Sequence, residues 1–285
     1  MDQLLEWWES NPITHLFLSP EIMAEAFPVL LKAFPVSLLF GVGSFLLGMP
    51  IGLALAFMKM SPSRLLRWPA TIYVDVIRGT PLFLQILLVF FGLPLFPLYK
   101  TLLQANPWMN QAAIFGISWS LYFRGFLVLS ASSSAYMCEI FRAGIQSIPR
   151  GQMEAARSLG MTAPQAMFFI IIPQTVRRIL PTMMSEFILL FKDTALLAAV
   201  GIGEVVLRAR EVAAAKFNPS AYVLAAAFYL SLTIPLGRLL AKMEERLAAS
   251  EGRGGAPRPT GGDGDSGTDG GSGQIESVPG VTGRV

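Results

Sequence analysis

A chain of 285 residues with 53% apolar and only 14% charged side chains falls well short of the roughly 25% charge that covers a soluble domain. Its mean hydropathy is +0.54, and several stretches of about 20 residues carry no charge, the length that crosses ~30 Å of hydrocarbon at 1.5 Å per residue. The composition predicts an all-α integral membrane protein. The single cysteine, Cys138, excludes an intramolecular disulfide framework and a multi-Cys zinc site, and the single histidine, His15, leaves no basis for a His-built metal site or a Ser-His triad. No metal site is expected. The net charge of +3 reads as membrane topology, not nucleic-acid affinity, because the basic residues fall between apolar runs.

In chain order, residues 1–26 read as an extracytoplasmic or interfacial segment. They contain no Lys or Arg, so they lack the basic start of a signal peptide, and Trp7, Trp8, Phe17 and Leu18 around His15 suit an interfacial helix. Residues 27–247 read as the transmembrane domain. Uncharged runs of 26 residues (Ala33 to Met58) and 21 residues (Gly79 to Tyr99) predict the first two spans, and a further 21 (Phe217 to Gly237) predict the last. Between them, a polar loop is expected from about residue 98, then a short interfacial helix at 112–122 beside Trp108, Trp119 and Tyr122. Spans are expected at about 124–146 and 174–191, the second beginning beside the snorkelling pair Arg177–Arg178. Residues 192–218 read as a loop. Residues 248–285 read as a disordered tail: 12 of the 35 residues after Ser250 are glycine, and such a segment cannot bury enough apolar surface to offset its ordering entropy.

About five spans put the termini on opposite sides. Lys59, Arg64, Arg67 and Arg78 flank one side of the bundle, as do Arg142, Arg150, Arg157, Arg177 and Arg178 and, after the last span, Arg238, Lys242 and Arg246; the opposite loop at 98–123 has only Lys100. Because Lys and Arg favour the cytoplasmic side, the expected orientation is N-terminus outside and C-terminus inside.

The segment Ser147-Ile148-Pro149-Arg150-Gly151-Gln152-Met153-Glu154-Ala155-Ala156-Arg157-Ser158-Leu159-Gly160-Met161 has Pro where a helix starts and Gly where one ends. It predicts one short amphipathic helix with Met153, Ala156 and Leu159 or Gly160 on a common stripe, a knob suited to a groove in another protein. Glu154-Ala155-Ala156 with Gly160 resembles the EAA loop of ATP-binding cassette (ABC) importer permeases. Further segments sharpen the likeness to the polar amino acid permeases: Arg78-Gly79-Thr80-Pro81-Leu82 with Gln85, Phe91-Gly92-Leu93-Pro94, Ala135-Tyr136, Glu139-Ile140-Phe141-Arg142-Ala143-Gly144-Ile145 and Lys192-Asp193-Thr194. The resemblance covers roughly residues 30–245; one departure is Ala195 where the family usually has Ser.

The resemblance implies a permease subunit that forms the path for a polar amino acid in a bacterial plasma membrane. Arg150, Gly151, Glu154, Ala155, Ala156, Leu159 and Gly160 would dock on a separate ATP-binding cassette ATPase subunit. The other implied partners are a second permease copy or paralogue, an extracytoplasmic amino-acid-binding protein and the lipid bilayer. ATP and Mg would be used by the ATPase; this chain has no Walker A loop, so no cofactor of its own is expected.

Residues expected along the path are Arg78, Gly79, Thr80, Pro81, Gln85, Tyr136, Glu139, Arg142 and Glu186, since charge within a span is costly and turns toward partners or a water-filled cavity. Glu139 and Arg142, three apart on one helix face, read either as a mutual ion pair or as a contact that rearranges. Glu186 reads either as a path-lining group or as an interhelical hydrogen-bond partner. Arg78 to Pro81 read as the point where the second helix enters the membrane. An ion-coupled carrier that uses Glu139 or Glu186 and needs no ATPase is the alternative; the sequence has no clear internal repeat of the kind such carriers use.

Overall fold

The computed structural model describes residues 16–254, with side chains through 247. The helices expected around His15 and the disorder expected after Ser250 lie largely or wholly outside these residues. Among the described residues every regular element is helical: α1 (Pro20–Met60), α2 (Arg64–Gly79), α3 (Leu82–Leu87), α4 (Pro97–Ala105), α5 (Trp119–Gln146), α6 (Arg150–Ser158), α7 (Ala163–Ala166), α8 (Ile172–Asp193), α9 (Val205–Lys216) and α10 (Ser220–Gly254). A π turn and a 3-10 turn carry α3 on to Leu95, another π turn at Met167–Ile171 joins α7 to α8, and a 3-10 stretch, Thr194–Val200, follows α8.

The α1–α5 pair is the spine. Ser44, Gly48, Gly52 and Ala56 recur every four residues along α1 and are all buried, so they form one small-residue stripe. It meets Ser133, Ser134, Met137 and Cys138 of α5: a Cβ built on Gly52 would lie 2.5 Å from Met137 Cβ and 2.8 Å from the Ser134 carbonyl. Backbones approach this closely only where a side chain is missing.

Among the described residues, two helices are long and apolar enough to cross a membrane, α1 and Ser220–Leu247 of α10, and a third if the bent pair Arg64–Gly79 and Leu82–Leu95 is one span. The spine helix α5, at 28 residues, and α8, at 22, are long enough but too polar. On α5 the polarity is turned inward, with Ser130, Ser132, Ser133 and Ser134 buried against neighbours.

Several expectations are corrected. No separate helix spans 112–122: the chain makes a 3-10 turn at Ile114–Gly116 inside a bridge between Ala112 and Ser118, and residues 119–122 are already the start of α5, ahead of the expected 124. Phe115 and Gly116 both have positive φ, a tight turn that no helix could pass through. The expected polar loop from 98 contains α4. The expected loop 192–218 contains α9, whose Val205, Ala209 and Ala213 pack on Ala26, Leu30 and Ala33 of α1.

A buried carboxylate organises that region. Glu204 is fully buried and caps α9 by accepting from the Val206 and Leu207 backbone N–H groups at 2.9 and 2.7 Å. Its Oε2 also accepts from Tyr229 of α10 at 3.0 Å and from Ser37 of α1 at 3.4 Å. One acid thus satisfies the start of a helix and ties three helices together.

Candidate functional site

The short helix α6 is punctuated as its sequence requires. Pro149 is its N-cap with φ −56°. At the other end Gly160 has φ +87°, its N–H donates to Arg157 O at 3.1 Å, and Met161 N–H donates to Ala156 O at 3.2 Å. This is the paired closing bond pattern that needs a left-handed residue at the position after the cap, which glycine supplies without strain.

The helix has two unlike faces. Met153 packs with Ile145, Ile148, Ile171 and Met167 beside the end of α1, and Ala156 is 4% exposed. Arg178 of α8 donates to Ser147 O at 2.6 Å and Gln174 to Gln152 at 3.3 Å, so α8 braces α6 and the turn before it. Arg150, Gly151, Glu154, Ala155 and Leu159 all face outward, Leu159 with 84% exposure. The common stripe expected for Met153, Ala156 and Leu159 is therefore split. Met153 and Ala156 anchor the helix to its own chain, while Leu159, displaced at the cap, points away. Ala156 is unavailable to a partner in this arrangement; Ala155 is open.

A second cluster sits alongside the middle of α5. At Arg78–Pro81, α2 and the helical stretch from Leu82 meet at 105°. The cause is chemical. Pro81 has no N–H, so the Ile77 carbonyl loses its helical donor; the Gln85 side-chain amide donates to it instead at 2.7 Å. The same amide reaches Thr80 Oγ1 at 2.9 Å, and Thr80 Oγ1 donates to Val76 O at 2.8 Å. Gly79 has open space where a Cβ would stand. Thr80, Pro81 and Gln85 thus act together as an elbow.

Beside the elbow the Arg78 guanidinium lies 5.2 Å from the centroid of the Tyr136 ring on α5, a favourable cation–π distance. Tyr73 of α2 donates to Ala131 O of α5 at 3.1 Å. Glu186 of α8 is partly exposed, and the fields of Arg78 and Asp193 reach it. Arg78, Tyr136 and Glu186 therefore belong to one polar zone, and Asp193 joins it.

Glu139 and Arg142 form the expected pair at 2.6 Å, and Arg142 also donates to Gln146 at 2.9 Å. A partner that sequence reasoning missed is Lys59, whose Nζ lies 2.6 Å from Glu139 and 3.8 Å from Asp75 of α2. The only signal in the sequence was a lone lysine closing an apolar span, 80 residues from its acid. Removing one member of a mostly buried ion pair strands the other charge. Glu139→Leu is expected to cost about 3 kcal/mol, with Lys59 and Arg142 left facing each other. Thermal unfolding in detergent, compared with a Glu139→Leu/Lys59→Met double variant, checks this: the second change should recover part of the loss.

Residues 48–249 match the family model described as the binding-protein-dependent transport system inner membrane component. The chain is 32% identical to the arginine transport system permease protein ArtQ of Bacillus subtilis (strain 168), covering 79% of this chain and 94% of that protein. It is 34% identical to the probable glutamine ABC transporter permease protein GlnM of the same organism, covering 82% and 100%. Among solved structures, an amino acid ABC transporter with histidines matches at 34% identity with a TM-score of 0.65, covering 79% of this chain and 96% of the matched chain. The inward-facing MetNI methionine ABC transporter shares the fold, with a TM-score of 0.54 at 14% identity. The chain belongs to the family of binding-protein-dependent transport system inner membrane components, within its amino acid ABC permeases.

Proposed function

We propose that the chain forms half of a path for a polar amino acid and is driven by a separate ATPase subunit that grips α6. Its N-terminus lies outside a bacterial plasma membrane and its C-terminus inside, and α1, the α2–α3 pair, α5, α8 with its continuation into α9, and α10 provide about five crossings. A second copy or a paralogue completes the path, and an extracytoplasmic binding protein delivers the solute. ATP binding closes the ATPases, moves α6 and shifts the bundle between two arrangements.

The observation that carries this reading is the division of α6. One face is fixed to the α5 and α8 ends, and the other presents Glu154, Ala155 and Leu159 with nothing over them among the described residues. A lever needs both. At the polar zone, Arg78 and Glu186 offer complementary charges to a solute that carries both signs, while the elbow lets α2 and α3 move unequally.

The experiment is purification with associated proteins, followed by uptake of labelled amino acids into vesicles. Uptake should require a co-purifying ATPase and ATP. Uphill uptake by the isolated chain without nucleotide would favour the ion-coupled alternative and end this reading. The tail is expected to be dispensable: a chain ending at Ser250 should transport at the wild-type rate, and normal expression with lost uptake would show otherwise.

A further inference from the structure

A cavity of about 640 Å³ opens between α1, the start of α9 and the turn at Ile114–Gly116, within the size range of small-molecule sites. Its apolar walls include Val29 and Val36, and its charged lining is Lys32, Arg208 and Glu211. Lys32 shares a helix face with Pro28 and Val36, spaced four apart, while Leu30 turns the other way into the α9 packing. Lys32 is exposed and makes no ion pair or hydrogen bond among the described residues. Arg208 Nη1 lies 2.7 Å from Glu211 Oε2.

Two backbone features shape this cavity. A Cβ on Gly203 would stand 2.8 Å from the Arg208 guanidinium, so the missing side chain is what lets Arg208 lie there. Phe115, with φ 57°, is held in a left-handed conformation that bulky residues rarely adopt, by a turn closed through Ala113 N–H to Ile117 O at 2.8 Å. Strain at such a position points to a use for the side chain it displays, and here the displayed ring lines the cavity.

We propose that this cavity is a recognition site for a free zwitterionic amino acid on the binding-protein side of the path. Lys32 takes the carboxylate, Glu211 shares its carboxylate between Arg208 and the ammonium group, and Phe115 covers the carbon chain. The assignment rests on the permease reading above and adds to it a site apart from the Arg78–Glu186 zone. The charges select the ligand class. One unengaged cation with one acid matches a molecule carrying both signs, whereas a polyanion such as a phosphate would meet Glu211 unfavourably. Charge-assisted bonds at both ends fix orientation as well as affinity.

The test uses the complete transporter with its ATPase and binding protein in proteoliposomes. Cys138 is buried, so Val29→Cys gives a single reachable thiol at the cavity wall. Each common L-amino acid is added in turn while an anionic methanethiosulfonate reagent modifies that thiol. At least one transported amino acid should slow modification. In an otherwise wild-type background, Lys32→Gln should raise the KM for its uptake about tenfold, the loss of one charge-assisted bond, with kcat unchanged. Lys32→Arg should restore the KM. Normal ATP-driven uptake with no protection, or a wild-type KM in Lys32→Gln, overturns the site alone. Absence of ATP-driven uptake of any amino acid overturns the permease reading and the site with it.

Discussion

Gly52→Leu should yield almost no folded protein. A first side-chain carbon at this position meets Met137 Cβ at 2.5 Å, the Ser134 carbonyl at 2.8 Å and the Cys138 amide nitrogen at 3.0 Å. Two of the three obstacles are backbone of the neighbouring helix, which cannot rotate aside as a side-chain end can. Overpacking a filled interior costs about 1–3 kcal/mol when neighbours can adjust, so even Gly52→Ala should cost about 3 kcal/mol, at the top of that range. Leucine would have to push α1 and α5 apart along their length. The measurement is the yield of monodisperse protein from membranes and its thermal midpoint. Gly237→Leu on α10 serves as the comparison, because nothing stands within 4 Å of a Cβ there. Equal yields from the two variants would show that the α1–α5 contact is not the spine of the fold.

Glu154→Lys should behave in the opposite way: a well-folded protein with little transport. The side chain is exposed, makes no ion pair among the described residues and lies mid-helix, where lysine is as good a helix former as glutamate. The hydrophobic anchoring through Met153 and Ala156 is untouched. Reversing the charge at a docking contact, however, places like against like wherever the partner complements an acid, at a cost of several kcal/mol. Uptake should fall at least tenfold for every ~1.4 kcal/mol lost, while insertion, yield and melting remain those of the unaltered chain. ATP hydrolysis by the assembled complex should continue without driving uptake. Normal uptake in this variant would remove α6 from the coupling role.

Helix α6 was legible in the sequence because its ends are marked by residues with strong backbone requirements. Pro149 fixes its own φ and Gly160 accepts a positive φ that few other residues tolerate, and both boundaries fall where expected. Its orientation was not legible. Leu159 fits the apolar stripe by spacing, but it sits at the cap, where the helical period has already ended.

The elbow was hidden for a different reason. An uncharged run of 21 residues from Gly79 looks like one span, and hydropathy does not register the carbonyl that Pro81 leaves unpaired or the glutamine that satisfies it. Lys59 and Glu139 meet only because α1 and α5 pack along the glycine stripe, so a contact 80 residues apart had no local sign. Helix α9 carries charge at Arg208, Arg210 and Glu211. Val205, Ala209 and Ala213, a narrow stripe and not a wide apolar face, do the packing, and a periodicity search passes over it.

Lys59 stands within 4.0 Å of acids on two different helices. If α2 slides toward α1, the ammonium group can pass from Glu139 to Asp75 while Arg142 keeps hold of Glu139. Neither end of that exchange leaves a solitary ion in hydrocarbon. Lys59 therefore keeps an acidic partner at either end of such a shift, and its charge need not be stranded as α2 and α1 move past one another.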